Sequence, residues 1–142
     1  MADTLPPTGP LDLEVTGTLL ERMGIELSEA DAEHAIGTMP VAGNTQPYGL
    51  LHGGASVVLA ETLGSIAAQL HAAPSGRAAV GIEVSATHHR AVRAGLVTGV
   101  ARALHLGRST ASYEIVVHDD AGRRLCTARL TCMLVDRPPA AG

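Results

Sequence analysis

The stretch YGLLHGGASVVLAETLGS, Tyr48 to Ser65, decides how the rest of the chain is read. From Ala55 to Ala60 it is as apolar as a core helix, and Glu61 comes directly after. Two glycines, Gly53 and Gly54, stand at its front. From His52 to about His71 only Gly64 interrupts a helical pattern, and that length selects helix over strand. APSG (73–76) closes the element. Apolar residues run nearly all the way round, so the helix is expected to be buried and wrapped by other elements.

The segments after the helix read as strands. In Ala78 to His88 a period of two puts Val80, Ile82, Val84, Ala86 and His88 on one face. Strands at Leu96 to Leu106, Ser109 to His118 and Arg124 to Val135 come next, with HDDAGRR (118–124) as the hairpin turn between the last two. The last strand pairs an apolar face (Cys126, Ala128, Leu130, Cys132, Leu134) with a polar one (Thr127, Arg129, Thr131). Along extended chain its two cysteines are roughly 20 Å apart, too far for a disulfide, so both read as small core residues.

Ahead of the helix, Thr18 to Gly24 suits one or two helical turns, with Thr18 as cap and Gly24 as stop. Ile25 to Ser28 and His34 to Val41 read as short strands, and AGNTQPYG (42–49) as loop. Flexible tails are expected over 1–16 and 137–142, leaving one domain over 17–136. The pattern is α+β: one long apolar helix, strands on both sides of it in sequence. Curling an antiparallel sheet about the helix is the economical way to bury it. That is the hotdog architecture, one candidate among several on pattern alone.

Composition narrows the function. Of 142 residues 46% are hydrophobic and 17% charged, which is the balance of a folded domain. There is no Phe or Trp, so aliphatic side chains must fill the core. The net charge of −4, without a basic cluster, argues against nucleic acid as a partner. The lack of aromatics removes the stacking platforms of single-strand binders. No apolar run approaches the roughly 20 residues of a membrane span. MADTLPPTGP lacks the basic start and apolar block of a signal peptide, so the cytoplasm is the expected location.

A lone ionised carboxylate in a dry interior costs several kcal/mol, so Glu61 must be paired, protonated or solvated. No Arg or Lys lies within two helical turns of it. Ser65, four residues on, shares its face and is a hydrogen-bond candidate. A carboxylate held without a cation stays basic, as a general base or nucleophile must. The plain alternative is that Glu61 projects from an end or edge of the sheet into water.

At the front of the helix the first N–H groups are unsatisfied, with the positive end of the helix dipole behind them. Glycine lets another atom approach such a backbone closely, which suits a developing oxyanion. Gln46, on the preceding loop, adds an amide. The plain alternative is a flexible helix start. The two features conflict within one chain, because Gly53 and Glu61 are eight residues, roughly 12 Å, apart along a helix. Oxyanion donor and base must both lie within about 3 to 4 Å of the reacting group. Two helices related by a two-fold axis resolve the conflict, with Gly53 of one chain facing Glu61 of the other.

The spacing Gln–x5–His–Gly–Gly–x7–Glu–x3–Ser in QPYGLLHGGASVVLAETLGS resembles the central motif of hotdog-fold acyl-CoA thioesterases. The branch is the Glu-dependent one of the 4-hydroxybenzoyl-CoA and phenylacetate-pathway (PaaI) enzymes. The 1,4-dihydroxy-2-naphthoyl-CoA thioesterases of menaquinone synthesis look most similar. The likeness continues through VGIEVSATHHRAVRAG, LHLGRSTASYEI and CTARLTCML, over roughly residues 17–136. It implies Glu61 as nucleophile or general base, the Gly53 amide as oxyanion donor, Gln46 and His52 as positioning groups and Ser65 as a supporting hydroxyl. It also implies CoA contacts at His88, Arg90 and the Gly107-Arg108-Ser109-Thr110 loop, where guanidinium and loop amides suit phosphates. The chain departs from its relatives at Thr87, where Asn is usual, at His89 and at Tyr113.

The resemblance therefore implies hydrolysis of an acyl-CoA, aromatic by the branch, by a homodimer at minimum and a homotetramer by family habit. No cofactor is expected, since CoA belongs to the substrate. No metal is expected either: His88 and His89 are adjacent in a strand and point to opposite faces. Two alternatives stay open, a non-catalytic acyl-CoA-binding hotdog protein and a carrier-protein thioesterase.

Overall fold

A computed structural model describes residues 13–137; the tail expectations for 1–12 and 138–142 lie outside these residues. In chain order come α1 (Leu19–Met23), β1 (Glu26–Ala30), β2 (His34–Pro40), α2 (Gly53–Ala72), β3 (Arg77–His88), β4 (Leu96–Leu106), β5 (Thr110–His118) and β6 (Arg124–Asp136). The strands form one sheet in the order β1-β2-β4-β5-β6-β3, every pairing antiparallel. α2 packs against all six strands. This is the helix-in-curled-sheet arrangement read from the sequence, with element ends differing by one or two residues.

α2 is seated by a stripe of mostly small residues at four-residue spacing: Ala55, Leu59, Leu63 and Ala67, flanked by Ala60, Gly64 and Ala68. Burying Leu59 and Leu63 completely contributes about 1.5–3 kcal/mol each. The small residues let the sheet come close. A Cβ on Gly64 would lie 2.6 Å from Leu130 Cδ2. Gly64 thus marks a contact point on the helix. The rest of the core is aliphatic apart from Tyr113, whose buried hydroxyl donates to Ala32 O at 2.7 Å. Cys126 and Cys132 are free and buried in β6, as small core residues.

Three expectations change. The helix is apolar all round, yet the sheet covers only half of it. Val57, Val58, Ile66 and Leu70 are half-buried and Glu61 is exposed. Thr18 holds the cap position of α1 without capping it: its hydroxyl donates back to Val15 O at 2.6 Å, while Gly24 stops the helix at φ 70° as expected. Finally, β3 does not keep one face. A bulge between Gly81 and Glu83 leaves Ile82 unpaired. Val80 and Ile82 are exposed, and only Val84, Ala86 and His88 pair with the inward residues Leu130, Ala128 and Cys126. One inserted residue reverses the alternation from that point on.

Candidate active site

The amino end of α2 is built by its own loop. His52 N donates to Asn44 O at 2.9 Å, and the side-chain amide of Asn44 donates to Met23 O and Pro40 O, both at 2.8 Å. His52 caps the helix: its Nδ1 accepts from Gly54 N at 2.8 Å, which places the ring proton on Nε2. Ala55 N and Ser56 N turn to His52 O. Among the described residues that leaves the Gly53 N–H as the first helix amide without an acceptor. His88, at the end of β3, closes over the same residue. A Cβ on Gly53 would lie 2.9 Å from His88 Nε2, so a side chain there would have to push the exposed His88 ring aside.

Gln46 Oε1 accepts from Tyr48 N at 2.5 Å and Leu50 N at 3.4 Å. This orients the amide and leaves its two N–H donors unengaged among the described residues. Gln46, Gly53, His88 and Arg90 together line one groove of about 410 Å³. The structure thus brings four of the expected residues into one place, with His52 behind them as the cap.

Glu61 lines a different groove, of about 470 Å³, with Ser65 and Thr62 beside it. The other walls are mostly apolar: Val58 and Ile66 from α2, and Leu13, Val15, Leu19 and Leu20 from α1 and the segment before it, with Glu14 and Thr18 among them. Sequence reading treated residues 13–16 as tail and missed this wall. Among the described residues the Glu61 carboxylate has no ion pair and no hydrogen bond. The expected Ser65–Glu61 bond is not formed. Burial pushes the Cys132 thiol up, the Ser65 hydroxyl opposes that, and the Glu61 charge adds to it. Below the carboxylate lies bare backbone, since a Cβ on Gly81 would be 3.2 Å from Glu61 Oε1. A glycine inside a strand signals such close approach, and that signal was present in the sequence.

The two grooves share no lining residue. The Gly107–Thr110 loop is in neither: it sits by His71 at the far end of α2, whereas His88 and Arg90 sit at the near end. His88 and His89 do point apart, His88 onto Gly53 and His89 Nε2 to Thr127 Oγ1 at 2.9 Å.

A family model described as the thioesterase superfamily matches residues 48–126. The chain belongs to the thioesterase superfamily. This thioesterase is 52% identical over 122 residues to the proofreading thioesterase EntH of Cronobacter turicensis, covering 85% of its own length and 88% of the relative. Among solved structures it is similar to a mutant thioesterase, PA1618, from Pseudomonas aeruginosa, with 46% identity, a TM-score of 0.81 and 85% and 88% of the two chains covered. A thioesterase from Haemophilus influenzae gives 35% identity and a TM-score of 0.82 over 90% of each chain. The fold is the hotdog fold and the chain is a thioester hydrolase, as the resemblance implied. Among the described residues no helix is long and apolar enough to cross a membrane.

Proposed function

We propose that this thioesterase hydrolyses an acyl thioester of a phosphopantetheine thiol to the free acid and the thiol, at sites shared between two copies of the chain. The single observation that carries this reading is the separation of the two grooves. Glu61 lies in one and the free Gly53 N–H with Gln46 in the other, along one rigid helix. A two-fold axis across the middle of α2 sets the Glu61 groove of one chain against the Gly53 groove of its partner. Two further features suit that pairing. The half of α2 that the sheet leaves uncovered carries Val57, Val58 and Ile66. β3 is a sheet edge of twelve residues with exposed Val80 and Ile82, the kind of edge that proteins cover.

In the composite site the thioester carbonyl accepts from the Gly53 N–H, helped by the Gln46 amide and the dipole of α2. Glu61 of the other chain either attacks the carbonyl carbon, expelling the thiolate and leaving a mixed anhydride that water opens, or takes a proton from an attacking water. Both routes yield acid and thiol. In a single turnover in labelled water, label in the carboxylate of Glu61 marks the anhydride route opened at the Glu61 carbonyl, since general-base attack sends all label to the product acid. The acyl group occupies the apolar groove beside Glu61, which has room for an aromatic ring. The phosphopantetheine runs toward Arg90 and His88 of one chain and the Gly107–Thr110 loop of the other. A homodimer is the minimum assembly of this reading, and the family resemblance favours a homotetramer.

The name of the EntH relatives supports a second source for the thiol. Proofreading means removing wrongly loaded groups, a task for which a carrier protein's phosphopantetheine is as suitable a handle as CoA. The test is a panel of aromatic acyl thioesters, naphthoyl and benzoyl included, offered on CoA and on a carrier protein and scored by kcat/KM. Failure to release thiol from any of them would sink the reading.

A further inference from the structure

Four successive carbonyls, Gly107 to Thr110, are all held by the protein. Gly107 O accepts from His71 Nε2 at 2.8 Å, and Arg108 O from Arg77 Nη1 at 2.6 Å. Ser109 O accepts from Leu134 N at 2.9 Å, and Thr110 O from Gly107 N at 2.8 Å. The other arm of Arg77 donates to Leu134 O at 2.6 Å, so the guanidinium ties the loop to β6. The loop is tight as well, since a Cβ on Gly107 would lie 2.5 Å from His105 Nε2 and 2.9 Å from Thr110 O.

Carbonyl and N–H of one peptide unit point in opposite directions. Holding Gly107 O and Arg108 O inward therefore turns the N–H groups of Arg108 and Ser109 outward. Neither has an acceptor among the described residues. The Arg108 side chain is exposed and has no ion-pair partner among them. Two outward amides on a loop that also carries an unpaired guanidinium supply the donors a phosphate needs.

We propose that His71 and Arg77 are positioning residues for substrate phosphate, acting through the Gly107–Thr110 loop; this rests on the phosphopantetheine reading of the site. The place of His71 on the last turn of α2 fixes the loop to the helix that carries Glu61. Ten residues, or about 15 Å of helix, separate it from the carboxylate, so it acts on binding and not on the bond-breaking step. Arg77 has Asp136 3.8 Å away, which offsets part of its charge. Its contribution is the geometry of two directed donors.

The test compares His71→Ala and Arg77→Met with the wild-type protein on one acyl group carried by three thiols: CoA, phosphopantetheine and N-acetylcysteamine. The expected result is a KM for the CoA thioester raised about tenfold, the loss of a bond to a charged group, with kcat nearly unchanged. The N-acetylcysteamine thioester, which has no phosphate, should keep its wild-type kcat/KM. His71→Gln, which retains a donor, should recover most of the loss, and Arg77→Lys, which cannot bridge both carbonyls, only part. The phosphopantetheine thioester assigns the source: a loss like that of CoA marks the phosphate next to the pantetheine arm, and no loss marks the nucleotide phosphates. Equal losses on all three thioesters would mean a merely structural role and overturn the proposal. Calorimetry with free CoA repeats the test without turnover, and an unchanged Kd in both variants would overturn it whatever the enzyme hydrolyses.

Discussion

Combining two inactive variants tests the shared site directly. Glu61→Ala removes the carboxylate from one groove and Gln46→Ala the amide from the other. Each alone should cost about a hundredfold or more in kcat, the range for a lost base or a lost oxyanion donor. A mixed dimer then depends on where the partners come from. If each site takes Glu61 from one chain and Gln46 from the other, one of its two sites carries both lesions and the other carries neither. Random reassembly of equal amounts makes about half of the dimers mixed, so about a quarter of the wild-type sites return. If each site lies within one chain, every site keeps one lesion and nothing returns.

The assay is thiol release at saturating substrate. Tagging the two variants differently and purifying over both tags isolates the mixed dimer, so failed subunit exchange is not counted as a negative result. The isolated mixed dimer should run at about half the wild-type rate. A rate no higher than the mean of the two parents would refute the reasoning from the roughly 12 Å separation along α2.

The other predictions concern single features. Glu61→Gln should lower kcat by about a hundredfold or more while leaving the thermal midpoint nearly unchanged, because the carboxylate has no ion pair among the described residues; near-full turnover would remove Glu61 from its role. Gly64→Ala puts a Cβ 2.6 Å from Leu130 Cδ2 and should cost about 1–3 kcal/mol in urea unfolding, against the slight gain that an exposed helix would show. Asp119 clamps the β5–β6 turn, and the backbone N–H of Arg123 leads the bonds that hold its carboxyl below the usual range. A depressed folded-state pKa means that its stabilisation is complete above about pH 4 and is lost as pH falls through the lower value. The stability difference between wild type and Asp119→Asn should therefore be constant at neutral pH and shrink under acid titration; a constant difference down to about pH 2 would contradict the clamp.

Local signals carried most of the fold. The length of α2 and the alternation in β4, β5 and β6 each depend on neighbours a few residues away. The Asp119–Gly122 turn, with Gly122 at φ 77°, is likewise local chemistry. The motif spacing also singled out Gln46 and Gly53, which the structure gathers in one groove at the front of α2. It did not tell which amide is free, because that depends on His52 turning back to take the Gly54 N–H. It did not place Leu13 and Leu19 beside Glu61, since their packing joins segments some forty residues apart.

The bulge in β3 is the least legible element and explains the most about the site. Gly81 and His88 are seven residues apart, an odd separation, so in a regular strand they face opposite sides of the sheet. The structure has both against α2, Gly81 under the Glu61 carboxylate and His88 over Gly53. Only the extra residue, Ile82, makes this possible. β3 runs back along α2, so a single strand supplies the floor of one half-site and then the cover of the other. Periodicity alone favoured Val80, Ile82 and Val84 on a common inner face, because a bulge has no signature in the apolar pattern itself. The glycine at 81 was the available clue, a strand position that gives up side-chain packing and so needs a reason. The reason is close approach: a side chain there would meet Glu61 Oε1 at 3.2 Å and push the carboxylate off the strand by a few tenths of an ångström. The unpaired Ile82 is left on the exposed edge that the shared-site reading gives to the partner chain.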